Sequence, residues 1–122
     1  MENTTSTQAP RLPHESLHAY QVARELLAFV AERRGRFRGL PGEISGHLAR
    51  ASASILLNIA EASGRVSIRD RKMRFGIARG ETCEVAAALD AASLFGALGP
   101  EEHELARGLL VRLVQMLGKL SA

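Results

Sequence analysis

The stretch Leu48–Arg65 constrains the fold more than any other part of the chain. Around it Ile44, Leu48, Ala51, Ile55, Ile59 and Ala62 recur at spacings of 4-3-4-4-3, which places their side chains on one stripe of an α-helix. Ala53, Leu56, Leu57 and Ala60 carry the apolar surface well round from that stripe. A helix with so broad an apolar girdle must be covered on two sides. Beyond a Gly64-Arg65 corner, Phe75, Ala78, Thr82, Val85, Leu89, Ala92 and Gly96 alternate three and four apart, the seam spacing of antiparallel bundles and coiled coils. Gly76 and Gly80 lie one turn apart in the same run. Glycine weakens a helix, so the pair implies a close approach by a neighbouring backbone.

The rest of the chain extends the same pattern. Tyr20, Ala23, Leu27 and Val30 form the inward stripe of a first helix with Ser16 as its N-cap, and Leu105, Leu109, Leu110, Leu113, Leu117 and Leu120 form that of a last one. Ser67 followed by Asp70 three residues on reads as a capped helix start. Helices are expected at about 16–34, 42–63, 67–96 and 100–120, with residues 1–15 a polar, proline-containing tail. Nothing in the sequence alternates with the period of a strand. The expectation is one all-α domain over residues 16–122, an up-down-up-down antiparallel four-helix bundle. One Tyr, four Phe and no Trp leave the core to Leu, Ala, Ile and Val, as helical bundles are built.

Charge and polar residues supply the candidates for function. Residues 11–79 hold 13 Lys and Arg against 6 Asp and Glu, whereas residues 80–122 hold 3 against 6, so an anionic partner would meet the first part of the chain. The basic residues form two clusters, Arg33, Arg34, Arg36 and Arg38 after the first helix, and Arg65, Arg69, Arg71, Lys72 and Arg74 around the second corner. In an up-down bundle these lie at opposite ends of the rod. Side chains of this kind hold RNA or DNA phosphates without reading sequence, and the shortage of aromatics disfavours single-strand recognition by stacking. Asn58, Glu61, Arg65, Arg79 and Glu84 stand on or near apolar faces; buried charges must be paired, so they read as one structural polar network.

Enzymatic and metal chemistry find little support. No nucleophile accompanies the Asn58/Glu61/Arg79 cluster, Glu15-x-x-His18 has no second copy from which to build a di-iron site, and neither a Gly-rich phosphate loop nor a Ser-His-Asp set is present. An Arg11…His18 pair is interrupted by Pro13. Cys83, the single cysteine, excludes an internal disulfide and reads as a small buried apolar residue. No cofactor or metal is expected. Without an 18-residue apolar run or a basic-then-apolar leader, a cytoplasmic protein is expected.

Over about residues 17–120 the chain resembles the small helical proteins encoded within intervening sequences of bacterial 23S ribosomal RNA genes. The resemblance rests on Ser54-Ile55-x-x-Asn58-Ile59-Ala60-Glu61 followed by Gly64-Arg65, and on Arg74-Phe75 with Ile77-Ala78-Arg79-Gly80 and Glu84. Departures fall at Leu56, where that family has proline, at Leu57, where it has a small polar residue, at Ala62 for glycine and at Ala49 for a basic residue. Leucine in place of proline restores a helix hydrogen bond, so the second helix is expected to be straight. The resemblance implies a ring-shaped homo-oligomer, a homopentamer. One related group, the accessory protein of diversity-generating retroelements, is a basic pentamer that partners a reverse transcriptase and binds nucleic acid. A non-enzymatic scaffold or accessory factor for RNA or DNA is therefore expected, with a protein-interaction module as the alternative. Ala53, Leu56, Leu57, Ala60, Gly76 and Gly80 are the expected oligomer interface.

Overall fold

The computed structural model describes residues 9–122 and is all-helical, with five helices among the described residues: α1 His18–Glu32, α2 Arg34–Phe37, α3 Gly42–Gly64, α4 Ile68–Leu94 and α5 Pro100–Ser121. The four long helices share one core: α3 packs on α4, α4 on α5, and α1 against both α3 and α5. Of the stretch read as a tail, residues 1–8 lie outside the described residues. Its later part makes a turn that returns to α1, where the His14 ring meets the Tyr20 ring edge-on at 4.5 Å.

Helix α3 is continuous through Leu56 and buries Leu48, Ala51, Ile55, Ile59 and Ala62 as its stripe dictates. Helix α4 is capped by Ser67, whose Oγ accepts the Asp70 amide at 3.3 Å, and buries Phe75, Ala78, Thr82, Val85, Leu89 and Ala92. The buried Thr82 hydroxyl is satisfied by donating to the Ala78 carbonyl at 2.8 Å. Gly96, expected on the α4 seam, instead lies beyond the helix with φ +82°. Its amide donates to Ser93 and the Ala97 amide to Ala92, the Schellman closure that a left-handed glycine makes possible.

The first helix departs from the expected register. Ala19, Val22, Ala23, Leu26, Phe29 and Val30 are buried, whereas Tyr20 and Leu27 are half-exposed, and Leu17 rather than Ser16 occupies the N-cap position without a side-chain bond. The run Leu26–Ala31 is apolar on every side, so packing on α3 and α5 selects the face. The basic connection adds a further helical turn, α2, which drives Phe37 and Leu40 into the core. In α5 Ala106 is buried, and Leu105, expected inside, is exposed. No described helix is long and apolar enough to cross a membrane.

Candidate nucleic-acid interface

The start of α5 meets the α1–α2 connection, which fixes the fate of the first basic cluster. Glu102 accepts from Arg33 Nε at 2.7 Å, from Arg36 Nη1 at 2.8 Å and Nη2 at 2.5 Å, and from the Gly99 amide at 3.2 Å. Arg33 is also stacked over the Phe29 ring at 3.8 Å and donates to the Phe29 carbonyl. Two of the four cations expected to face nucleic acid are thus held by an internal carboxylate, while Arg34 and Arg38 remain exposed. Hydrogen bonds from Arg36, then Arg33, then the Gly99 amide hold the Glu102 carboxyl well below the usual carboxylate range. The same contact raises Arg36.

A depressed folded-state pKa stabilises the fold above the unfolded value, and that stabilisation is lost as pH falls through the ordinary carboxylate range of about 4 and below. Glu102→Gln should therefore lower the urea midpoint at pH 7 and flatten its decline between about pH 5 and 3. Equal pH dependence in both proteins would show that the fork contributes nothing to folding.

The second cluster surrounds the three-residue corner between α3 and α4. Glu61 pairs with Arg65 one turn on and with Arg74 at 3.5 Å, and these contacts, Arg65 foremost, lower its pKa against the opposing effect of desolvation. Arg71 donates to the Val66 carbonyl at 3.5 Å, and its Nε is buried without a partner among the described residues. Arg69 and Lys72 are exposed and have no carboxylate partner among the described residues. Five basic residues face Glu61 and Asp70 here, a surplus of three positive charges. Between them Val66 (94% exposed), Ile68 and Met73 stand in solvent. The 27-residue α4 separates this corner from Phe95 and the Glu102 fork, roughly 40 Å at 1.5 Å per residue.

The polar residues of α3 and α4 do not form one network. Asn58 donates to Glu81 at 3.0 Å and to the Ser54 carbonyl at 3.1 Å, and Ser54 donates to Glu81 at 2.5 Å. Glu84 instead pairs with His47 at 2.8 Å, Glu61 with Arg65 and Arg74, and Arg79 with no carboxylate among the described residues. Glu81, His47 and Glu102 escape a reading of sequence because no local pattern marks them. Only the registers of α3 on α4, and of α5 on the α1–α2 connection, choose them.

The residues expected to meet other copies are placed around α3 and α4. Ala53, Leu56 and Ala60 are half-buried, while Leu57 (67% exposed), Gly76 and Gly80 face solvent. A Cβ on Gly80 would touch nothing, and one on Gly76 would meet only Ser121 at 3.8 Å. No backbone among the described residues occupies the space these glycines leave. Cys83, expected to be buried, is exposed. It lies on a groove of about 410 Å³ between α4 and α5, with Ala86, Leu110, Val111 and Val114 on its walls and Asp90 and His103 at one end. Asp90 Oδ1 and His103 Nε2 are 2.7 Å apart.

Among curated proteins no significant match is found. Comparison with protein families gives a match over residues 15–119 to the 23S rRNA-intervening sequence protein. All four long helices, the Asn58–Glu81 contact and the basic corner fall within or almost wholly within that span. With an all-helical fold and a match over most of its length, the chain belongs to the 23S rRNA-intervening sequence protein family.

Proposed function

We propose that this chain is a non-enzymatic, cytoplasmic scaffold or accessory subunit that binds RNA or DNA phosphates. In this reading residues 16–122 form an up-down-up-down antiparallel four-helix bundle, and copies close into a homopentameric ring. The observation that carries it is the corner at residues 65–74, where Arg69 and Lys72 are exposed, lack carboxylate partners among the described residues, and lie in a local surplus of positive charge. A ring would repeat that corner around one rim, bringing many such cations to a single polyanion. Contacts to phosphate carry no sequence information, so the protein would bind mixed sequences alike.

Ten engaged phosphates, two per copy of a pentamer, would cost roughly 10³- to 10⁵-fold in affinity between about 50 and 200 mM salt. Fluorescence anisotropy with mixed-sequence RNA and duplex DNA measures this. No association at about 50 mM salt would sink the reading.

The exposed Val66, Ile68 and Met73 favour a second reading, in which the same corner docks a protein partner, a reverse transcriptase among the possibilities that the resemblance raises. A partner retained after nuclease treatment, and lost on Val66→Ser with Ile68→Ser, would select it.

A further inference from the structure

Two lines of side chains on different helices match each other in spacing and in charge. On α3, Arg50, Leu57 and Glu61 follow at intervals of seven and four and share one face. On α4, Asp90, Cys83 and Arg79 follow at the same intervals in the opposite chain direction. Arg50, Glu61, Cys83, Asp90 and Arg79 are exposed, and Leu57 projects well into solvent. Arg50 and Arg79 have no carboxylate partner among the described residues. Asp90 and Glu61 each engage their internal partners through one oxygen, Asp90 Oδ1 and Glu61 Oε2, and the other has no ion-pair partner among the described residues. Laid antiparallel, the two lines place arginine on aspartate, leucine over the Cys83 groove, and glutamate on arginine. The reverse alignment would place arginine on arginine and glutamate on aspartate.

We propose that the α3 ridge of one copy docks into the α4–α5 groove of a second copy, Leu57 entering beside Cys83 while Arg50 meets Asp90 and Glu61 meets Arg79. This rests on the reading that the chain self-assembles, and it names the surfaces that do so. Ridge and groove are different patches of one molecule, so the contact is head-to-tail and leaves each copy a free ridge and a free groove. In an antiparallel bundle α3 and α4 run in opposite directions, so an antiparallel meeting of α3 with a neighbour's α4 sets the two rods parallel. Repeating that step turns copies about an axis along the rods, the geometry of a ring rather than of a two-fold dimer. Ala60 and Gly80, small residues flanking the contact, let the two backbones approach.

The single native thiol makes the test direct. Leu57→Cys in the otherwise unaltered chain, oxidised with diamide and run on a non-reducing denaturing gel, should give covalent species of more than two chains, up to the size that light scattering finds for the wild type. The wild type under the same oxidant should run as single chains. A wild-type-sized oligomer of Leu57→Cys without links between chains would overturn this pairing alone. Dimers from Leu57→Cys combined with Cys83→Ser would overturn it too, by showing a ridge-to-ridge contact. A monomeric wild type would overturn the pairing together with self-assembly, and salt-dependent RNA binding, measured separately, would not be touched by either result.

Charge reversal gives an independent readout should the engineered cysteine disturb the fold. Arg50→Asp and Asp90→Arg should each weaken assembly at least about tenfold, since like charges across an interface are strongly disfavoured. The two together should restore it. Failure of the double variant to recover the wild-type size would overturn the proposal.

Discussion

Ile59→Ala should lower the unfolding free energy by roughly 2–5 kcal/mol and the melting temperature by on the order of 10–15 °C, whereas Leu57→Ala, two residues away, should leave the folded chain within about 0.5 kcal/mol of wild type. Ile59 is fully buried among the four long helices and Leu57 is 67% exposed. Removing three carbons from Ile59 leaves a cavity that surrounding helices cannot close without moving one another. Removing them from Leu57 only exchanges one wet surface for another within a single chain. Assembly should show the reverse order. In the proposed docking Leu57→Ala would take from each copy the side chain that enters a neighbour's groove, so light scattering should find it dissociating at higher concentration than wild type. Melting must be followed at one fixed, low concentration, because an assembled fold gains stability by mass action. Comparable melting temperatures for the two variants would mean that Leu57 is covered within one chain.

Arg69→Glu combined with Lys72→Glu should abolish measurable binding to mixed-sequence RNA at about 100 mM salt and flatten the salt dependence that remains, each lost phosphate contact removing about one from the slope. Both residues are exposed and stand outside the Glu61 contacts with Arg65 and Arg74, so circular dichroism and oligomer size should match wild type. In a pentamer the double reversal recurs in all copies and turns an attractive rim repulsive. Arg33→Glu with Arg36→Glu would be a poor substitute, since those side chains hold Glu102 and their reversal would loosen the junction of α1, α2 and α5. Unaltered RNA binding in the Arg69/Lys72 variant would place the interface elsewhere.

How far the fold was legible in the sequence varies by helix, and for a physical reason. In α3 and α4 the buried Leu48, Ile55, Ile59, Phe75, Val85 and Leu89 recur at helical spacing, so period selects the buried face even though Leu57 and Ile77 lie off it in solvent. In α1 the run Leu26–Ala31 offers several faces of similar hydrophobicity, and the choice of Leu26 and Phe29 over Leu27 belongs to the packing partners. The short α2 was hidden by Gly35, which reads as a breaker but is tolerated in one turn anchored by buried Phe37. For the candidate site, sequence shows where positive charge gathers but not which cations are already answered. Arg33 and Arg36 look as free as Arg69 and Lys72 until Glu102, more than sixty residues later, is found between them. Asn58 likewise meets Glu81 rather than Glu61 or Glu84 because of how α3 and α4 are registered.

The Glu102 fork gives the molecule sidedness. Near Phe95 two of the four arginines are answered from within by Glu102, whereas the corner some 40 Å away along α4 keeps its surplus. In the proposed ring of parallel copies that polarity would be inherited, and a long polyanion would favour one mouth over the other. In that arrangement a further partner would arrive from behind, without competing for the charges at the corner.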